Sequence, residues 1–242
     1  MNVALHNFLF NIYPYICLAV FLMGSLARFD RDQYTWKTDS SQMLRARQLR
    51  WGSNLFHFGI LFLFFGHAIG LLTPKFFYEP VFTAPTKQML AIVAGGIAGL
   101  VCFVGLTMLL HRRIFDPRIR LTSHRTDLAI LVILWVQLCL GLITLPYSFA
   151  HRQEALAMLV LADWAQGIVT FRPDATALMT LAWPYKVHIV LGLTIFLLFP
   201  FSRLVHVWSG FASIVYLFRP YQVVRSRRMN VPAGQNQPRR PA

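Results

Sequence analysis

Five apolar stretches, each long enough to cross a bilayer as a helix, dominate this chain and constrain what it can fold into. A helical crossing of the hydrocarbon takes about 20 apolar residues. Residues 3–27, 53–72, 88–110, 127–146 and 187–211 meet that length. No water reaches the backbone there, and a helix satisfies its own N–H and C=O groups. With 56% hydrophobic and 13% charged residues among 242, the chain lacks the polar surface of a soluble domain. The expected fold is an all-α integral membrane bundle of five transmembrane helices. The first stretch has no basic residue before it and no small-residue cleavage pattern after it, so it reads as a span and not as a secretory signal.

The formal charge of +14 is located in the loops and the tail. Arg28, Arg31, Lys37, Arg45, Arg47 and Arg50 follow the first span; Arg112, Arg113, Arg118, Arg120 and Arg125 follow the third. The tail adds Arg219, Arg225, Arg227, Arg228, Arg239 and Arg240, whereas the other two loops hold only Lys75, Lys87, Arg152, Arg172 and Lys186. By the positive-inside rule the N-terminus is expected outside and the C-terminus in the cytoplasm. The charge therefore reads as topology and not as a nucleic-acid surface. Cys17, Cys102 and Cys139 stand singly in apolar runs, without a CxxC or CxxCH pattern, which argues against covalent haem or a cysteine-held cluster. The longest connection, residues 148–186, contains a helical segment at 155–166 that is too short to span and is expected along the outer surface.

Eight histidines are present, and four fall at span ends or in loops, where an imidazole stays solvated: His6, His111, His124 and His151. The other four lie within spans, His57 and His67 in the second, His188 and His206 in the fifth. Polar side chains in a membrane are costly and turn inward to a partner. Neutral imidazole is a standard axial ligand of haem iron, so two non-covalent b-type haems with two histidines each are expected. The alternative is a haem-free bundle, such as a transporter, in which the histidines hydrogen-bond across helices or relay protons. A relay would call for carboxylates, and no Asp or Glu lies in a span interior.

Ten residues separate His57 from His67, about 15 Å and roughly 80° along an ideal helix. Eighteen separate His188 from His206, about 27 Å. The intervals do not match, and helix tilt, a late start after Pro184 or unequal haem inclinations would each absorb the difference. The two spans run antiparallel, so pairing crosses over: His57 with His206 toward the cytoplasm, His67 with His188 toward the outside. Iron with both axial positions filled favours electron transfer over oxygen binding. Gly59, Gly66 and Gly70 form a stripe on the second span that suits either a flat cofactor or close helix packing. The expected organisation is a dihaem cytochrome b membrane domain over residues 1–228 and a disordered, basic cytoplasmic tail over 229–242.

The histidine pattern, with AsnIleTyrProTyrIle from Asn11, GlnTyrThrTrp from Gln33, SerSerGlnMetLeu from Ser40 and LeuPheProPheSerArgLeu from Leu198, resembles the gamma (cytochrome b) subunit of membrane-bound respiratory nitrate reductase. The resemblance implies a quinol-oxidising anchor in the bacterial inner membrane. Its partners would be an iron–sulfur beta subunit and a molybdenum-containing alpha subunit on the cytoplasmic side. A related complex with another terminal acceptor is the alternative within this class. The resemblance also implies a quinol site beside the outer haem, with Lys87 at the position of the family's implicated lysine and Gly66 and Gly70 flanking His67. On its own, Lys87 also reads as a side chain snorkelling at a helix start. Arg203, three residues before His206, is placed to meet a haem propionate or to anchor the cytoplasmic interface.

Overall fold

The computed structural model describes residues 2–31 and 44–208. Among the described residues, five helices are long and apolar enough to cross a membrane: Val3–Arg31, Ala46–Leu72, Ala84–Phe115, Arg125–Ala150 and Trp183–Phe201. The five expected spans are thus present, and four of them begin earlier in the sequence than the apolar stretches do. Hydropathy marks only the buried length of a helix, whereas the hydrogen-bond ladder runs on into polar residues such as Arg47 and Arg125. GlnTyrThrTrp, most of SerSerGlnMetLeu and the expected tail lie outside the described residues. The compact unit that carries the spans is Met1–His206.

Neighbouring spans follow the order second, third, fourth, fifth, first. The second and third approach most closely, because small residues line both sides of their seam. A Cβ added at Gly59 would lie 2.6 Å from the Cys102 Cβ, and one at Gly105 would lie 2.8 Å from the Gly52 carbonyl oxygen. Without a hydrophobic drive between helices in lipid, such close backbone contact supplies the dispersion energy of association. Gly105→Ala should therefore cost about 1–3 kcal/mol, since its new methyl meets backbone that cannot rotate away. Thermal denaturation in detergent checks this, with Gly95→Ala, where a Cβ has nothing within 4 Å, as the neutral control.

One end of the bundle is closed by the helix Leu156–Val169, here called the cap helix. It packs against the first and second spans: the Trp164 indole donates to the Phe10 carbonyl at 2.8 Å, and the Gln166 amide donates to Leu71 O at 2.9 Å. Trp164 and Ile168 are buried with Phe10, Leu178 and Tyr185, so the segment is part of a core and does not merely lie on a surface. His6 departs from its expected solvated state, being 1% exposed with Nε2 2.8 Å from Ala175 O. The connection after the cap helix folds back over the start of the first span and covers that imidazole.

The fifth span also departs from expectation. Its regular helix ends at Leu198, and short 3-10 turns follow at Phe199–Phe201 and Arg203–Val205, with Ser202 extended between them at φ −121°, ψ 174°. Pro200 has no N–H to continue the ladder and its ring crowds the preceding turn. The carbonyls released at the break are satisfied by Arg28 of the first span, which donates to Pro200 O at 2.7 Å and Ser202 O at 3.0 Å. His188 and His206 are consequently not carried by one straight helix, and the 27 Å implied by their separation in sequence does not apply.

Candidate functional site: two facing histidine pairs

The second and fifth spans are not among the tightly packed pairs of the described residues, yet their histidines face one another. The ring centroids of His57 and His206 are 6.2 Å apart, and those of His67 and His188 are 6.3 Å apart. The rings that face one another are thus His57 with His206 and His67 with His188. The His67/His188 pair lies at the cap end, and the His57/His206 pair at the opposite end, beside Arg203 and Asp127.

These separations fit one metal ion between each pair. Two metal–imidazole bonds of about 2 Å, plus roughly 1.1 Å from each nitrogen to its ring centre, sum to about 6 Å. The other ring nitrogen decides whether a lone pair is available. His57 Nδ1 is 2.7 Å from Ser53 O, His67 Nδ1 is 2.7 Å from Leu63 O, and His206 Nδ1 is 2.7 Å from Arg203 O. His188 Nδ1 is 3.1 Å from Gln137 O on the fourth span. Each Nδ1–H donates to a carbonyl, so each Nε2 keeps its lone pair, and such outer hydrogen bonds both orient a ligating imidazole and make it more basic. Among the described residues no cluster of three or more His, Cys, Asp or Glu could hold a metal ion by itself. A two-histidine site suits a haem with two imidazole ligands, because the porphyrin would supply the other four.

The remaining expected residues are placed as follows. Lys87 lies in the first turn of the third span, with its Nζ buried, without a hydrogen-bond partner, and 3.7 Å from the centroid of the Tyr78 ring. The ammonium is turned onto protein and does not reach out to water. The glycine stripe divides: Gly59 packs on the third span, whereas a Cβ at Gly66 or Gly70 would meet nothing within 4 Å. Gly66 opens onto an apolar groove lined by Phe62, Phe65 and Ile69. The Arg203 guanidinium is 3.3 Å from Asp127 Oδ2, which Arg113 approaches at 3.5 Å from the end of the third span.

A sequence profile described as the nitrate reductase gamma subunit matches residues 6–227, nearly the whole chain. The chain belongs to that family. It is 48% identical to the respiratory nitrate reductase 1 gamma chain of Escherichia coli strain K12 over 224 residues, 92% of this chain and 98% of that one. Identity to the respiratory nitrate reductase 2 gamma chain of the same strain is 49% over 93% of this chain and 98% of the other. For the nitrate reductase gamma chain of Bacillus subtilis strain 168 it is 37% over 90% and 97%. The resemblance carried by the histidine pattern is thereby shown, and this chain is the gamma subunit of a respiratory nitrate reductase and a multi-pass membrane protein.

Sequence reasoning missed three residues that support the histidine pairs of this gamma subunit. Gln137 and Gly141 of the fourth span contact His188, and a Cβ at Gly141 would lie 3.0 Å from its Cε1. Arg28 holds the broken end of the fifth span just before His206. Gln137 had a visible signal, as an amide in the interior of an apolar span. The contact made by Arg28 had none, because it depends on where the fifth span breaks.

Proposed function

We propose that this chain is the dihaem, quinol-oxidising membrane subunit that feeds electrons to the catalytic part of a respiratory nitrate reductase. The observation that carries the reading is the pair of histidine couples at 6.2 and 6.3 Å, all four with Nδ1 tied to a carbonyl, the tautomer that leaves the Nε2 lone pair to a metal. Each couple would hold a b-type haem, which would supply reversible one-electron transfer. His67 and His188 hold the group nearer the outer face, and His57 and His206 hold the one nearer the cytoplasm. An iron–sulfur beta subunit and a molybdenum-containing alpha subunit dock on the cytoplasmic side, in the bacterial inner membrane.

Quinol is oxidised at the cap end. Lys87 is the group there with an unmet need for an acceptor, and a quinol oxygen meets it with a charge-assisted hydrogen bond. Stabilising the oxygen as its proton leaves lowers the barrier to oxidation, with protons released outside and electrons delivered inside. Gly66 and Gly70 leave the second span without side chains on either side of His67, which gives a flat ring room to approach. At the other end, Arg203 is held by Asp127 beside Arg113, so two guanidinium groups share one carboxylate and retain a net positive charge suited to a propionate.

The purified chain should show a reduced low-spin b-type spectrum with two haems per polypeptide, removed by acidic acetone. A correctly inserted chain supplied with haem and lacking this spectrum would refute the reading. Sidedness is checked separately by labelling single cysteines in whole cells and inverted vesicles. Substitutions in the cap helix should react from outside, and those after Arg219 only from the cytoplasmic side. Reversed labelling would oppose the proposed direction of electron flow.

A further inference from the structure

We propose that Gln137, on a span that contributes no haem ligand, is a positioning residue that selects the His188 tautomer able to ligate through Nε2 and sets how strongly that imidazole donates. This inference rests on the ligand assignment above. Three contacts join the two residues. The Gln137 side-chain amide donates to the His188 carbonyl oxygen at 3.0 Å, and the His188 Nδ1–H donates to the Gln137 carbonyl oxygen at 3.1 Å. The same amide lies 3.5 Å from His188 Nε2, at the limit of a hydrogen bond.

The two contacts to the ring point to the same protonation state. The carbonyl beside Nδ1 requires a proton there, which leaves the lone pair on Nε2; the amide 3.5 Å from Nε2 agrees with that tautomer and is a weak contact that iron would replace. The Nε2–H tautomer would set a carbonyl against a bare Nδ1 and an N–H against an N–H. Two further observations show that the arrangement is built. Gly192 leaves space for the amide, since a Cβ there would lie 3.0 Å from Gln137 Nε2. Gly141 leaves space for the imidazole, since a Cβ there would lie 3.0 Å from His188 Cε1 and 3.5 Å from Nδ1.

The amide oxygen of Gln137 is buried without a partner, a costly state inside a membrane. Flipping the amide would set this oxygen against the His188 carbonyl oxygen, so the orphan follows from the clasp. His188 also differs from the other three ligands. His57, His67 and His206 bond carbonyls three or four residues back in their own chain segment, whereas His188 depends on another span. Movement of the fourth span against the fifth therefore changes the donor strength of one ligand only.

The test is redox potentiometry of both haems in the assembled complex, read optically and by electron paramagnetic resonance. In Gln137→Leu the Nδ1–H···O bond should lengthen, the imidazole should donate less to iron, and the reduced state should gain. The expected result is an upward shift of the outer-haem midpoint potential by about a tenfold change in its reduction equilibrium, 59 mV for one electron. The inner haem should keep its wild-type potential. Should Gln137→Leu fail to assemble, Gly141→Ala tests the same seat from the other side, by displacing the ring a few tenths of an ångström, and should alter the outer-haem resonance alone. Wild-type outer-haem potential and resonance in the assembled variants, or equal shifts of both haems, would overturn the proposal. His67→Ala reports the ligand assignment independently. Retention of both haems there would remove the assignment and this inference together, whereas normal loss there with unshifted potentials in Gln137→Leu removes the inference alone.

Discussion

His206→Ala should leave one of two haems in the complex and lower quinol-driven turnover by more than about a hundredfold, because even a residue behind a ligand costs ten- to hundredfold when removed. His206 sits beyond the break at Pro200, with its Nδ1 on Arg203 O and its ring 6.2 Å from that of His57. Alanine leaves His57 alone on that side, and one imidazole does not hold a low-spin haem. The other pair shares no residue with it, so quinol should still reduce the remaining haem. His67→Ala should give the complementary result, with loss of the haem beside the quinol site and no quinol-driven reduction of the one that remains. Spectra of quinol-treated membranes distinguish the two. If either variant kept both haems, the crossed pairing would be wrong.

Residue periodicity carried the pairing further than it carried the helix geometry. Five spans and the polar cost of histidines in apolar stretches were legible, since each follows from the bilayer acting as solvent. What failed was the extrapolation of one helix through Pro200. LeuPheProPheSer contains the breaker, but whether a proline kinks a helix or ends it depends on partners for the freed carbonyls, and Arg28 lies 172 residues away in sequence from its acceptor Pro200. Beyond that break the rise of an ideal α-helix no longer measures the eighteen-residue interval.

His6 was misjudged for a similar reason. Its position near a span end suggests water, yet the connection that follows the cap helix lays Ala175 over it. The seat of His188 draws on a third span, through the carbonyl and side-chain amide of Gln137 and the space left at Gly141. A glycine that keeps an imidazole's place, as Gly141 does, looks in sequence like any other membrane glycine.

Lys87→Ala should retain both haems while kcat/KM for quinol falls roughly ten- to hundredfold, the span expected for one hydrogen bond to a charged donor. The Nζ is buried with no hydrogen-bond partner and lies 3.7 Å from the centroid of the Tyr78 ring. An ammonium over an aromatic ring gains on the order of 1–2 kcal/mol, less than its desolvation costs, so the site is poised to accept an oxygen ligand. Lys87→Met separates this role from a structural one, because it keeps the apolar stem and removes the unpaired charge. The methionine variant should be at least as stable to heat as the wild type and as slow with quinol as the alanine variant. An artificial donor that reduces the alpha and beta subunits directly should support full turnover in both. Wild-type rate and affinity for quinol in Lys87→Met would show that the ammonium serves only to anchor the start of the third span. The quinol would then have to be oriented by His67 and by the backbone that Gly66 and Gly70 leave open.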